Sequence, residues 1–240
     1  IDVLQNVKKI FKTAIKKVLL HMPTGAGKTR TAINLVSEEF KNKPKNLIIW
    51  LAHTEELCQQ AHDEFSKAWE IIGNAKIKSY KLFKNFRYDL NDINSGFVVL
   101  SLDYAYSLTK TKQSLFFSLA RKCDFVVMDE AHMSVAPSYQ QVLDILVNKE
   151  TYLLGLTATP GRAEIGSDEN IKLAKFYNKQ KVTLNIKGYK TPIDFLQDKN
   201  YLAAVEREQL EVSTNIKKIF SQKEISRELK RIRGGMDFSN

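Results

Sequence analysis

Val18-Leu19-Leu20-His21-Met22-Pro23-Thr24-Gly25-Ala26-Gly27-Lys28-Thr29 is the stretch that decides how this chain is read. The apolar run Val18–Met22 has the length of a buried strand and enters a glycine-rich turn. Behind the turn, Thr29–Phe40 carries Ile33, Val36 and Phe40 at helical spacing. Strand, glycine turn and helix in that order is the context a phosphate-binding loop requires. Glycines let the backbone approach phosphates, and successive N–H groups with the helix N-terminus supply positive potential. Thr24, Gly25, Ala26, Gly27, Lys28 and Thr29 are the candidate cradle. Lys28 is placed to reach β- and γ-phosphates, and the Thr29 hydroxyl to ligate Mg²⁺. The strict pattern has a glycine five positions before Gly27, where Met22 stands. The match is therefore to Gly-Lys-Thr and its surroundings.

Working outward, Leu47–Leu51, Phe97–Leu100, Phe125–Met128 and Tyr152–Leu156 are further compact apolar runs. Glu55–Ile72 reads as a helix with Leu57, Ala61, Phe65 and Ala68 on one face, and Tyr139–Val147 also reads as helical. Strands separated by helices imply βαβ units. Unbroken rather than alternating apolar strands imply a sheet covered on both faces. The predicted class is α/β, with a mostly parallel central sheet and helices on both sides. From Gly161 the organisation changes. Gly161–Glu169 reads as a polar loop and Phe176–Tyr201 is mixed. Asn215–Arg233 reads as a basic amphipathic helix that Gly234-Gly235 would end.

The second informative motif is Asp129-Glu130-Ala131-His132, directly after Phe125–Met128. Carboxylates at the carboxyl end of a parallel strand face the crevice where ligands bind. Asp129 is a candidate Mg²⁺ ligand, and Glu130 a candidate general base that polarises water. Zinc is not indicated, because nothing matches HExxH and His21, His53 and His62 lack ligand spacing.

The chain has 240 residues, with 37 Lys and Arg against 27 Asp and Glu, a formal charge of +10. That balance suits a polyanionic partner. Two cysteines without a CxxC pair exclude a disulfide framework and fit a reducing, cytoplasmic setting. No apolar run approaches the ~20 residues that span a bilayer, so no membrane partner is expected. The first residue is Ile1 rather than Met, and the chain is read as a piece of a longer protein.

Taken in order, these motifs resemble the first RecA-like domain of superfamily 2 helicases and translocases. The resemblance is to the DEAH-type branch that includes restriction-enzyme motor subunits. It runs from about Gln5 to Arg162 and more loosely to Ala203. Leu156-Thr157-Ala158-Thr159-Pro160 resembles the family's motif III, so His132, Thr157 and Thr159 are implied to couple the nucleotide to nucleic-acid engagement. Gln5 resembles the glutamine that reads adenine. Leu51–Gln60 resembles the segment that touches the nucleic-acid backbone, which brings in His53 and Thr54. Val98–Leu102 resembles the next such segment, which brings in Ser101. Gly188–Ala203 resembles the stretch between two motor domains.

The resemblance implies ATP and Mg²⁺ as cofactors, with Lys28 and Glu130 as catalytic residues. It implies a nucleic-acid partner, DNA favoured over RNA. Residues 1–203 are expected to form the ATP-binding domain, and 204–240 a basic extension towards a second RecA-like domain that this sequence lacks. Arginine fingers come from such a second domain, so the chain alone is expected to hydrolyse ATP weakly. The alternative is an ATPase of the same loop type that remodels protein complexes without nucleic acid.

Overall fold

Each apolar run singled out above is a strand in the computed structural model, which describes residues 2–86, 88–159 and 168–202. In chain order the elements are α1 (Asp2–Phe11), β1 (Lys17–His21), α2 (Lys28–Asn42), β2 (Leu47–Ala52), α3 (Glu55–Ile72) and β3 (Ser79–Leu82). Then come β4 (Gly96–Ser101), α4 (Leu102–Thr111), α5 (Gln113–Lys122), β5 (Phe125–Met128), a 3₁₀ turn (Ala131–Val135) and α6 (Pro137–Leu146). The described part closes with β6 (Tyr152–Thr157), α7 (Asp168–Phe176), β7 (Lys181–Thr183) and α8 (Pro192–Asp198).

Seven strands form one sheet in the order β3-β4-β2-β5-β6-β1-β7, and every neighbouring pair is parallel. Parallel strands need crossovers, and helical crossovers bury both faces of the sheet. Leu47, Ile49 and Leu51 of β2 share one face with Val98, Leu100, Val126 and Met128, under α4, α5, α6 and α7. Ile48, Trp50 and Ala52 share the other with Phe97, Val99, Phe125 and Val127, under α1, α2 and α3. All six residues of β2 are buried, which is why this strand reads as an unbroken apolar run. On the second face Phe65 of α3 stacks on Phe97 at 4.1 Å between ring centroids, seating α3 on β4.

Several elements lie where the sequence reading assigned none: α1, β3, α4 and α5. The mixed stretch Phe176–Tyr201 resolves into β7 and α8. The loop expected over Gly161–Glu169 ends sooner, because α7 starts at Asp168. Asp168 and Glu169 are acidic residues in its first turn, where the helix dipole favours them. Residues 161–167 lie outside the described residues, as do the domain boundary after 203, the helix expected over 215–233 and the extension 204–240.

Gly155 of β6 marks a tight approach. A Cβ there would lie 2.4 Å from the hydroxyl oxygen of buried Tyr177. Gly155→Ala is expected to destabilise the chain by about 1–3 kcal/mol through overpacking. Urea unfolding measures this, and an unchanged midpoint would mean that the Tyr177 ring yields freely.

Candidate nucleotide site

The loop after β1 is built by backbone geometry. Ala26 N–H donates to the Pro23 carbonyl at 3.1 Å, closing a turn. Gly25 and Gly27 have φ of 79° and 85°, and a Cβ at either would meet nothing within 4 Å. Left-handed backbone, not crowding inside the chain, is what demands glycine here. The open space beside both glycines is a cradle of the kind that phosphates fill. Gly27 caps α2 without a side-chain acceptor, and the first turn of α2 has no acidic residue. Its leading N–H groups are therefore left for an anion. Lys28 and Thr29, both half-buried, are the first two residues of that turn.

Across from the loop, β5 delivers the acidic pair. The Asp129 N–H donates to the Leu51 carbonyl at 2.8 Å, pinning the end of β5 to the end of β2. Asp129 is only 6% exposed. Burial pushes its carboxyl up to about 6, and the neighbouring Glu130 charge adds to that. The Glu130 N–H, which donates to Asp129 Oδ1 at 3.0 Å, and the Lys28 ammonium pull it back. Burial likewise holds Lys28 below the usual lysine value, while Glu130 and Asp129 oppose that shift. The cation and both carboxylates thus share one partly desolvated field.

Glu130 has φ 50° and ψ 52°, a left-handed conformation that a side chain adopts at a cost of about 1–2 kcal/mol. The conformation turns the chain into the 3₁₀ segment and leaves Glu130 Oε2 3.2 Å from His132 Nδ1.

Strand β6 lies between β5 and β1 and carries the third group. Thr157 is fully buried and in register with His21, and Met22 N–H donates to its carbonyl at 3.1 Å. The Thr157 hydroxyl donates to the Thr159 carbonyl at 2.6 Å and lies 3.2 Å from the Thr159 N–H. His21 Nε2 lies 3.1 Å from the Ala158 carbonyl, so this nitrogen carries the proton. Burial, more than the nearby Lys181, lowers the His21 pKa. The Ser134 hydroxyl in the 3₁₀ turn lies 2.9 Å from the buried Tyr177 hydroxyl beyond α7. His21, weighed above only as a zinc ligand, lies beside this site, as do Ser134 and Tyr177, which the sequence reading did not single out. Strand register and helix packing bring them together, and no local motif marks either.

The residues expected to touch nucleic acid sit at one sheet edge. Thr54 Oγ1 accepts from the Leu57 N–H at 3.2 Å and caps α3. Ser101 Oγ accepts from the Tyr104 N–H at 3.3 Å and caps α4. Ala52 and Ser101 are register partners, so the two helix starts stand side by side. His53 is exposed, with Nδ1 3.1 Å from the hydroxyl of Tyr139, which also donates to Asp103 at 3.4 Å. Gln5 is exposed on α1, and its side chain makes no hydrogen bond to the described residues.

With this arrangement established, residues 1–162 match the family model described as type III restriction enzyme, res subunit. The chain belongs to that family. This chain is 26% identical over 201 residues to the ATP-dependent DNA helicase fml1 of Schizosaccharomyces pombe, covering 71% of this chain and 22% of the relative. It is 29% identical over 171 residues to the ATP-dependent DNA helicase Hel308 of Thermoplasma volcanium, covering 67% and 23%. The chain thus spans about a quarter of the length of the curated relatives it matches. Its fold is that of Saccharomyces cerevisiae Dbp5 bound to RNA and ADP BeF3, with TM-score 0.57, 18% identity, 78% of this chain and 46% of that chain covered. Among the described residues no helix is long and apolar enough to cross a membrane.

Asp129 makes the site costly to stability, and the sign follows from its raised pKa. The folded chain binds this proton more tightly than the unfolded one, so stability is fullest below about pH 4 and is lost as pH rises through about 6. The loss is at most about 3 kcal/mol for a shift of about two units. Asp129→Asn is expected to raise the urea midpoint above pH 7 in metal-free buffer, with the gain vanishing near pH 4. A gain independent of pH would contradict the buried-carboxylate account.

Proposed function

We propose that this chain is the ATP-binding first motor domain of a nucleic-acid helicase or translocase, cytoplasmic in location, in which Lys28, Thr29, Asp129 and Glu130 perform the hydrolytic step. The observation that carries the proposal is the shared field of Lys28 with Asp129 and Glu130 across β6, facing an uncapped helix start. An unopposed buried cation or carboxylate is expensive, and a phosphate chain with a metal ion gives each of these charges a partner.

In this reading the N–H groups of residues 25–29 and the Lys28 ammonium hold the β- and γ-phosphates. Thr29 and Asp129 supply the hard oxygen ligands that suit Mg²⁺, which accepts one or two protein oxygens and leaves the rest to phosphates and water. The metal would neutralise charge developing on the transferred phosphoryl group. Glu130 orients and deprotonates the attacking water, with His132 holding its carboxylate at 3.2 Å. Gln5 is assigned to adenine, and His132, Thr157 and Thr159 to passing the nucleotide state onward. Thr54, His53 and Ser101 are assigned to the phosphate backbone, through the paired starts of α3 and α4.

DNA is the favoured track, supported by the likeness to two ATP-dependent DNA helicases, fml1 and Hel308. A second RecA-like domain elsewhere in the protein is part of the proposal, supported by the quarter of its relatives' length that the chain spans. Such a domain would supply an arginine to the transferring phosphoryl group.

In the full-length protein, Lys28→Ala is expected to weaken ATP binding. Glu130→Gln should preserve binding and lower turnover by about 10²-fold or more, the size of a general-base contribution. Turnover is to be measured without nucleic acid and then with single-stranded DNA, duplex DNA and RNA at fixed salt. Stimulation by one of them supports the motor; robust turnover indifferent to all three would overturn it.

A further inference from the structure

Residues 76–88 read Lys-Ile-Lys-Ser-Tyr-Lys-Leu-Phe-Lys-Asn-Phe-Arg-Tyr. Five basic residues and four aromatic ones fall in this stretch without a single acid. Apart from residue 87, which lies outside the described residues, the segment includes β3, the sheet's edge strand, and the loop leading away from its carboxyl end. Two of the aromatics serve the core: Phe83 is fully buried and Tyr80 nearly so. The other two do not, since Phe86 is 44% and Tyr88 42% exposed.

Their setting is built rather than loose. Phe86 packs edge-on against Phe83 at 6.0 Å, with Lys81 Nζ 5.3 Å from its ring centroid. Lys81 Nζ also bonds Gln59 Oε1 of α3 at 3.3 Å. Tyr88 stands edge-on to Tyr80 at 5.3 Å and 89°. Beyond it, Leu90 and Ile93 are buried, and Lys122 Nζ clasps the Asn91 and Ile93 carbonyls and Asn94 Oδ1 at 3.3, 3.1 and 2.8 Å. Lys84 adopts φ 52° at the turn and is exposed.

Position adds the last argument. Leu82 pairs in register with Leu100, one residue before Ser101, and Ser101 pairs with Ala52. The loop therefore leaves the sheet at the same edge as the starts of α3 and α4.

We propose that this loop is a stacking platform for the unpaired bases of a single nucleic-acid strand, with Phe86 and Tyr88 as the faces and Lys81 and Lys84 as phosphate contacts. The proposal rests on the nucleic-acid reading above and names what part of the track this edge takes. An exposed aromatic face can stack on any base, and neighbouring lysines follow the backbone. In a duplex the base faces are already covered by their neighbours, so only an unpaired strand can offer them. A loop clasped in place by Lys122 loses little freedom on binding.

The test uses the full-length protein and fluorescence anisotropy at fixed salt. The probes are a labelled oligo(dT), an abasic strand of equal length with the same phosphates, a duplex, and an oligo(U) RNA. Wild type is expected to bind oligo(dT) at least tenfold tighter than the abasic strand. Phe86→Ala with Tyr88→Ala should erase that preference and leave abasic binding unchanged, which also shows that the variant is folded. Phe86→Trp with Tyr88→Trp should restore the preference. Lys81→Ala with Lys84→Ala should weaken both strands alike and flatten the salt dependence. Equal wild-type binding of oligo(dT) and abasic strand overturns the platform, as does a preference that survives the alanine pair. In both of those outcomes the nucleic-acid reading stands. Failure of every probe to bind overturns that reading, and the platform with it.

Discussion

The pairing of β6 between β5 and β1 is the constraint on which the site depends. Two strand spacings, about 10 Å, separate the acidic turn from the glycine loop, and a lysine at the head of α2 covers much of that gap. The parallel strands around the site are joined by crossovers that run through helices, and these helices bury both faces of the sheet. The full burial of Ile48, Trp50, Val127 and Leu154 on one face, with Ile49, Val126 and Leu153 on the other, is thus the foundation of a polar site at the strand ends. The same register that places His21 opposite Thr157 sets the Met22 N–H on the Thr157 carbonyl. The start of the glycine loop and the threonine segment therefore move as one backbone unit.

Electrostatics at this junction is balanced without being relaxed. Asp129 is held up by burial and Lys28 is held down by burial, so each group's charged form is penalised by its surroundings. Each is favoured by the other, and the adjacent Glu130 holds a left-handed conformation that also costs energy. Strained backbone and mutually dependent buried charges persist where surrounding structure over-determines them. Here the determinants are the Asp129 N–H on Leu51, the Ser134–Tyr177 hydroxyl pair and the close approach of Tyr177 to Gly155. A site with this stored imbalance is poised to gain from an anionic ligand and a divalent cation, which match the two penalties at once.

What was legible in the sequence is what is local. Leu47–Leu51 and Phe125–Met128 are buried on both faces, so their apolar runs could hardly be anything but central strands. The glycine loop and Asp129-Glu130 were visible because the chemistry needs consecutive residues. β3 escaped because it is an edge strand with only Tyr80 and Leu82 buried, alternating with Ser79 and Lys81. Four alternating residues are too few for periodicity to decide. α4 and α5 escaped because each is ten residues long and they follow one another across Lys112 with hardly a break. The contacts of His21 with Ala158 and of Ser134 with Tyr177 span 137 and 43 residues. Nothing in either local sequence points to its partner, since both depend on which strands become neighbours.

Thr54 and Ser101 show how one residue can serve two levels at once. Each hydroxyl accepts the hydrogen bond of a helix N-terminus, a role worth about 1 kcal/mol to the helix. A hydroxyl spent on capping keeps its own proton to donate, and phosphate oxygens accept. The capping role therefore leaves the donor available instead of consuming it. Glu55 and Glu56 in the first turn of α3 favour that helix start, yet they oppose an approaching phosphate. α4 has Asp103 in the same place, partly engaged by the Tyr139 hydroxyl. A backbone tracking this edge thus meets acidic side chains at both helix starts, and the attraction needed to hold it must come from further along. The lysines around β3 are the basic groups on the same side of the sheet. On the nucleic-acid reading proposed above, affinity on this surface would be shared between short hydroxyl contacts that fix register and a flanking basic segment that supplies most of the charge.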